Sequence, residues 1–158
     1  MSASSSFTSG DPPVRLLVAF QQAYPEQTPE RLVRAPGRDV WVAAARAASE
    51  HFTVTSPDHE ARATFSLRSA RLRRTVTQRP LPRWARYPAG VILTLGSGGL
   101  DIPGLNTVVL SGEPPGPAYE FGLGMAFAAL GYEIHAQPYT SDMLIDVVDR
   151  ARREYVEA

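Results

Sequence analysis

The sequence predicts an α+β domain, with a mostly antiparallel or mixed sheet and helices packed on one face. Two observations carry this. Short segments rich in β-branched and aromatic residues cluster in the first half, between Arg31 and Leu67. Three longer stretches with apolar residues three and four apart are bounded by helix start and stop signals. Read in order, the elements are helix, four short strands, helix, strand and two helices.

In "VRLLVAFQQAY", Leu16, Leu17, Phe20 and Tyr24 lie on one helical face, and Pro25 stops the helix. "RLVRAPGRDVWVAAARA" reads as two extended segments around a turn at Pro36–Gly37, although propensity alone would also allow a helix over the Ala-rich stretch from Val42 to Ala48. "HFTVTS" and "RATFSL" alternate apolar and polar residues on either side of "PDHEA" and read as a hairpin. In "PRWARYPAGVILTLG", Pro82 suits a helix start, Pro88 is early enough to be tolerated, and Gly96 would close the helix. A strand over Leu105–Ser111 is followed by a helix over Tyr119–Leu130 that Gly131 would end. The last helix opens on Thr140 or Ser141 as N-cap and carries a stripe of Leu144, Val147, Val148, Ala151 and Tyr155.

The chain has 158 residues and 44% hydrophobic content, which suits one domain with its own core. Residues 1–13, Ser-rich and without an apolar run, are expected to be a disordered lead-in, and 14–158 a single domain. Sixteen basic residues, all Arg, balance sixteen acidic ones, so net charge does not point to nucleic acid or an anionic membrane. The absence of cysteine excludes disulfides, thiolate metal sites and a cysteine nucleophile. No apolar run reaches the about 18 residues of a membrane span, and a cytoplasmic protein is expected. His51, His59 and His135 lack metal-ligand spacing and are expected at the surface or at strand ends. Ser111 and Ser141 stand outside any nucleophile-elbow motif. Arg68, Arg71, Arg73, Arg74, Arg79, Arg83 and Arg86 form a basic stretch, read as a solvated connector that includes a surface helix.

The stretch "GLNTVVLSGEPPGPAYEFGLGMAFAAL" joins a strand, a Pro/Gly turn and an apolar helix, an arrangement that can hold a phosphate on free backbone N–H groups. It resembles the strand, phosphate loop and helix of galactokinases, members of the GHMP sugar-kinase superfamily. "FQQAYPEQTPERLVRAPGR" is similar to that family's opening helix and Ala-Pro-Gly-Arg turn, "VWVAAARAASEHFTVTSPDHEARATFSL" to the strands that follow, and "PRWARYPAGVILTL" to its Trp-x-x-Tyr-x-x-Gly-Val helix. "ARREYV" resembles a helix end that precedes the family's catalytic aspartate segment. The resemblance covers Leu16 to Val156 and implies the fold of the family's N-terminal lobe.

The departures bear on chemistry. A galactokinase follows its Ala-Pro-Gly-Arg turn with a sugar-gripping Val-Asn-Leu-Ile-Gly-Glu-His-Thr-Asp-Tyr segment, whereas this chain runs from Arg38 into "DVWVAAARA". The family's phosphate loop reads Pro-x-Gly-x-Gly-Leu-Ser-Ser-Ser-Ala. Pro114 and Gly116 match it, Tyr119 stands at the leucine, Glu120, Phe121 and Gly122 replace the serines, and Ala126 stands at an acidic position one turn on. The catalytic aspartate and the C-terminal lobe have no counterpart within these residues. Phosphoryl transfer depends on positioning and charge stabilisation around Mg²⁺ and the phosphates. Two unit charges about 4 Å apart at an effective dielectric near 20 interact by roughly 4 kcal/mol. A carboxylate at Glu120 would repel phosphate on that scale, while the helix N-terminus returns only about 0.3–1 kcal/mol. Glu120 is instead expected to cap its own helix, and Phe121 to add bulk where the loop should open. Arg38 matches the family's catalytic arginine but is expected to be a turn arginine paired with Asp39 or a nearby carboxylate.

The sequence thus implies a galactokinase-like, non-catalytic binding or regulatory module with no ATP or Mg²⁺ cofactor, and it names no small-molecule ligand. Two rival readings are a half-enzyme completed by another chain and an Arg-mediated nucleic-acid binder. Trp41, Phe121, Met125, Tyr132, Ile134, Tyr139 and Met143 flank the side that a second lobe would cover. A homodimer, or an unknown protein partner, is expected to cover them.

Overall fold

A computed structural model describes residues 12–158; the lead-in expected over residues 1–13 lies, up to residue 11, outside them. The element order is α1 (Val14–Ala23), β1 (Arg31–Arg34), β2 (Val40–Arg46), β3 (Phe52–Ser56), β4 (Ala61–Phe65), α2 (Leu67–Arg71), α3 (Arg83–Ser97), β5 (Leu105–Ser111), α4 (Pro117–Ile134) and α5 (Ser141–Ala151). A π-turn over Arg152–Val156 extends α5. The α+β class is the one expected, and so is the element order except that the short helix α2, in the basic stretch, stands as a separate element before α3.

The five strands form one mixed sheet in the order β1-β2-β5-β3-β4. All neighbours are antiparallel except β3 and β5, which run parallel with Val54 opposite Thr107. A parallel pair needs a long crossover, and here the chain between them supplies β4, α2 and α3.

The expectation of helices on one face needs correction. Helices α3, α4 and α5 cover one face, but α1 covers the other, where Leu16 and Phe20 pack with Leu32, Trp41, Ala43, Ala45, Val108 and Leu110. The signal was in β2, "VWVAAAR", an almost unbroken apolar run. Such a run marks a strand buried on both faces, whereas alternation marks one-sided burial. Val40, Val42 and Ala44 point into the main core, while Trp41, Ala43 and Ala45 point at α1. Leu17, counted on the α1 core face, is 38% exposed.

Two helix ends also differ from expectation. Helix α3 passes Gly96 and is capped by Gly98. Helix α4 starts at Pro117 and passes Gly131 to Ile134. Gly131 stays helical because packing demands its missing side chain: a Cβ there would stand 2.5 Å from Leu95 Cδ1. One turn pair earlier on α4, a Cβ at Gly124 would stand 2.8 Å from Val148 Cγ1. Helix α4 is buried from Gly122 to Tyr132, enclosed by the sheet, α3 and α5. Tertiary contact here overrides the ordinary helix-stopping tendency of glycine.

The basic stretch contains the expected surface helix, α2, and is also tied to the rest of the chain. Ser66 and Ser69 exchange side-chain-to-backbone hydrogen bonds as a capping box on α2. Arg73 donates to Tyr155 O at 2.8 Å and lies over the Tyr155 ring, and the Tyr155 hydroxyl donates to Ala70 O.

Gly124→Val should lower stability by about 1–3 kcal/mol in denaturant unfolding, because Val148 is fully buried and has no room to yield. A variant as stable as the parent would show that α4 does not seat against α5 as described.

Candidate functional site

The strand order brings three connections together. Because β5 lies between β2 and β3, its C-terminal end meets the β1–β2 turn on one side and the 3₁₀ turn Pro57–His59 on the other. Val40 pairs with Ser111, so Arg38 and Asp39 face the β5–α4 loop.

Arg38 grips that loop. Its Nη2 donates to Glu113 Oε1 at 2.6 Å and its Nε to Glu113 Oε2 at 3.0 Å, a two-pronged ion pair. The same Nη2 donates to Ala118 O, in the first turn of α4, at 2.6 Å. Asp39 N donates to Glu113 Oε2 at 3.2 Å. Ser111 Oγ donates to Asp39 O and accepts from Glu113 N, both at 2.8 Å, and Ser111 N donates to Asp58 Oδ2 at 3.0 Å. The expected partner class of Arg38 is therefore met by Glu113, while Asp39 contributes its backbone N–H. Two glycines make room: a Cβ at Gly122 would lie 3.0 Å from Arg38 Nη2, and one at Gly112 would collide with the Asp39 carboxylate.

The remaining loop residues divide between charge and packing. Gly116, with φ at +149°, is the N-cap of α4, and Pro117 takes the first helical position. Pro114 is exposed. Glu120 sits in the first turn of α4, where the helix field favours a negative charge. Its side chain pairs with Arg83 Nε of α3 at 3.0 Å. Phe121, expected to fill the loop opening, packs half-buried against the core. Open space beside the loop lies on the α1 side, a cavity of about 190 Å³ lined by Pro13, Arg15, Asp39, Trp41, Leu110, Ser111 and Gly112.

Tyr119, matched only to a leucine in the sequence, belongs to an aromatic cluster. The His59 ring stacks on Trp84 at 5.2 Å and meets Tyr119 at 5.4 Å, and His59 Nδ1 shares a 2.8 Å hydrogen bond with Ser56 Oγ. Burial pushes the Tyr119 phenol up to about 12, with Ser56 opposing the shift and Asp58 and Glu120 adding to it. The surface or strand-end placement holds for all three histidines: His51 and His135 are exposed, and His59 ends the turn between β3 and β4, half-buried. Nothing in its short turn reveals that Trp84 and Tyr119 converge on it. Among the described residues, no cluster of His, Asp or Glu could hold a metal ion.

The seven apolar residues expected to await a partner turn inward. Trp41, Met125 and Tyr132 are buried. Phe121, Ile134, Tyr139 and Met143 are half-buried against the core. The α1 helix covers Trp41, and the all-round enclosure of α4 takes up most of the others. Among the described residues no helix is long and apolar enough to cross a membrane.

The hydrogen bonds from Arg38 hold the Glu113 carboxyl below the usual carboxylate range, against a smaller opposing effect of burial. A carboxyl depressed on folding stabilises the protein above its unfolded pKa, near 4.3, and loses that contribution as pH falls through the folded value. Glu113→Gln should therefore cost about 1 kcal/mol at neutral pH. The gap to the parent should close as pH drops below about 4. Urea melts at several pH values check this; a gap independent of pH would refute the pair as the source.

No family profile and no curated protein matches the chain. Solved structures do. The chain superposes on a Lactococcus lactis galactokinase complexed with galactose with a TM-score of 0.69 at 12% identity, covering 92% of this chain and 43% of that one. For a Methanococcus jannaschii mevalonate kinase the TM-score is 0.56 at 9% identity, covering 73% and 36%. For a D-glycero-D-manno-heptose 1-phosphate kinase of Bacteroides thetaiotaomicron it is 0.55 at 10% identity, covering 75% and 37%. The chain spans less than half the length of each. At these identities the likeness is one of architecture, and the fold of this chain is that of part of a GHMP-type kinase.

Proposed function

We propose that the chain is a non-catalytic module with a GHMP-kinase fold, acting through binding or regulation in place of phosphoryl transfer. The observation that carries this reading is the internal occupation of the β5–α4 loop. Arg38, the basic group best placed to meet a phosphate there, already holds two oxygens of Glu113 and the carbonyl of Ala118. Glu120 adds a second carboxylate at the start of α4, and Arg83 is engaged with it. An entering nucleotide would have to displace Glu113 from Arg38 while facing both carboxylates. Each pair is only partly buried and modest in strength, but the ligand gains little from breaking them, because the freed carboxylates then oppose its charge.

A second reading, a half-enzyme completed by another chain, draws support from the 43% coverage of the galactokinase. It shares the fold and differs in requiring the loop to open when the partner binds. Fold alone assigns neither activity.

Isothermal calorimetry should give no heat of Mg-ATP binding at micromolar to submillimolar nucleotide, and a coupled assay no phosphorylation of galactose. Micromolar affinity for Mg-ATP in the isolated chain would overturn the non-catalytic reading. Activity appearing only on addition of a second chain would replace it with the half-enzyme.

A further inference from the structure

Helix α5 and the π-turn that follows it form one rod, Ser141–Val156, packed on α3. Its two ends carry opposite charge. At the N-terminal end Asp142, Ile145 and Asp146 are exposed on one face, Ile145 by 42%. The helix field accounts for an acid at Asp142, but Asp146 lies beyond the first turn. At the C-terminal end the fold supplies the opposite pattern from another segment. Tyr155 receives the Arg73 guanidinium on its carbonyl and ring and donates to Ala70 O, which fastens α2 and its following turn to the rod. This segment exposes Arg68, Arg71 and Arg79 together with Leu72, which is 63% exposed.

These three arginines differ from several others of the chain. Arg83, Arg150, Arg152 and Arg153 each pair with a carboxylate of the chain itself. No carboxylate pairs with Arg68, Arg71 or Arg79 among the described residues. The backbone between them is held in place, with Arg73 and Gln78 at positive φ and Arg74 bonded to Gln78 O. Non-glycine residues in that conformation are uncommon and persist where the surroundings fix them. The middle of the rod is self-neutralised once Glu157, just past its end, is counted: Asp149 pairs with Arg152 and Arg153, Arg150 with Glu154, and Arg152 also with Glu157.

We propose that two copies of the chain pair antiparallel along this rod about a two-fold axis, Arg68, Arg71 and Arg79 of one protomer meeting Asp142 and Asp146 of the other. From Asp142 to Tyr155 the rod spans about 20 Å at 1.5 Å per residue. Reversing one rod against its copy therefore sets each basic end opposite an acidic one. The neutral middle meets itself without repulsion, and Leu72 approaches the partner's Ile145. Two-fold pairing uses both patches twice and closes the assembly. The strip is narrow, so the interface lies at the small end of specific pairings. The arginine patch lacks exposed aromatic rings on which bases could stack, which favours a protein partner over a nucleic acid.

Sedimentation equilibrium on the full chain tests this. At micromolar concentrations in about 0.1 M salt the mass should be twice the 17.2 kDa of one chain. At about 1 M salt, where screening shortens to about 3 Å, it should fall to one chain. R68E/R71E and D142R/D146R should each weaken pairing by at least about tenfold, since most of the charge contacts between protomers become like-charged, Arg79 alone keeping its sign in the first variant. An equimolar mixture of the two should restore it, because each acidic patch then faces a basic one. The fourfold swap in a single chain should also pair with itself, which guards against one variant failing to fold. A monomeric parent overturns the proposal, whether or not it binds an oligonucleotide. So does a dimer indifferent to both double variants, or a folded mixture that stays monomeric.

Discussion

The architecture of the candidate site rests on one constraint, the pairing of β2 with β5 in the middle of the sheet. That register places Val40 opposite Ser111 and so delivers Arg38 and Glu113 to each other. Several other contacts of the site gather around this meeting. Ser111 ties the two strand ends together, Gly122 leaves room for the guanidinium, and Ala118 presents its carbonyl to the same nitrogen. The carboxylate of Glu113 occupies the Arg38 guanidinium and the Asp39 N–H at this loop. On the reading proposed above, the same strands that build a kinase-like loop also fill it.

The helix layer above the site imposes a second constraint. Helix α4 is apolar around its whole circumference and is enclosed by the sheet, α3 and α5. Glycines at 124 and 131 let it approach its neighbours more closely than any side chain would allow. Its N-terminal turn is therefore held by a tightly packed body, and Glu120 reaches Arg83 across a fixed gap. Close-packed interiors transmit such positioning with little slack. Rigidity here keeps the loop's partners in register and costs nothing in access, since no ligand has to enter under the proposed reading.

Much of the fold was legible because the elements carry local signals. The strand Leu105–Ser111 matches to the residue, and Thr140 caps α5 by accepting from Met143 N, as a threonine before an apolar stripe should. The errors share one physical origin, a neighbour that sequence does not reveal. Gly131 reads as a helix stop until Leu95 is placed against it. Trp41 reads as exposed until α1 is placed over the second face of the sheet. The site was legible to a similar depth. Arg38 and the stretch from Glu120 to Gly122 stood out by comparison with the galactokinase pattern that the sequence resembles. Glu113, 75 residues from Arg38, did not, because a lone glutamate in a turn carries no mark of its partner. The His59, Trp84 and Tyr119 cluster stayed hidden for the same reason.

On the proposed reading, the loop between β5 and α4 is occupied by the chain itself and stays so when nucleotide is offered. A crystal structure determined from the chain with saturating magnesium and a non-hydrolysable ATP analogue tests this most directly. Arg38 should still bridge Glu113 and the Ala118 carbonyl, with no nucleotide at the start of α4. Phosphate density on the first turn of α4, with Glu113 displaced from Arg38, would contradict it.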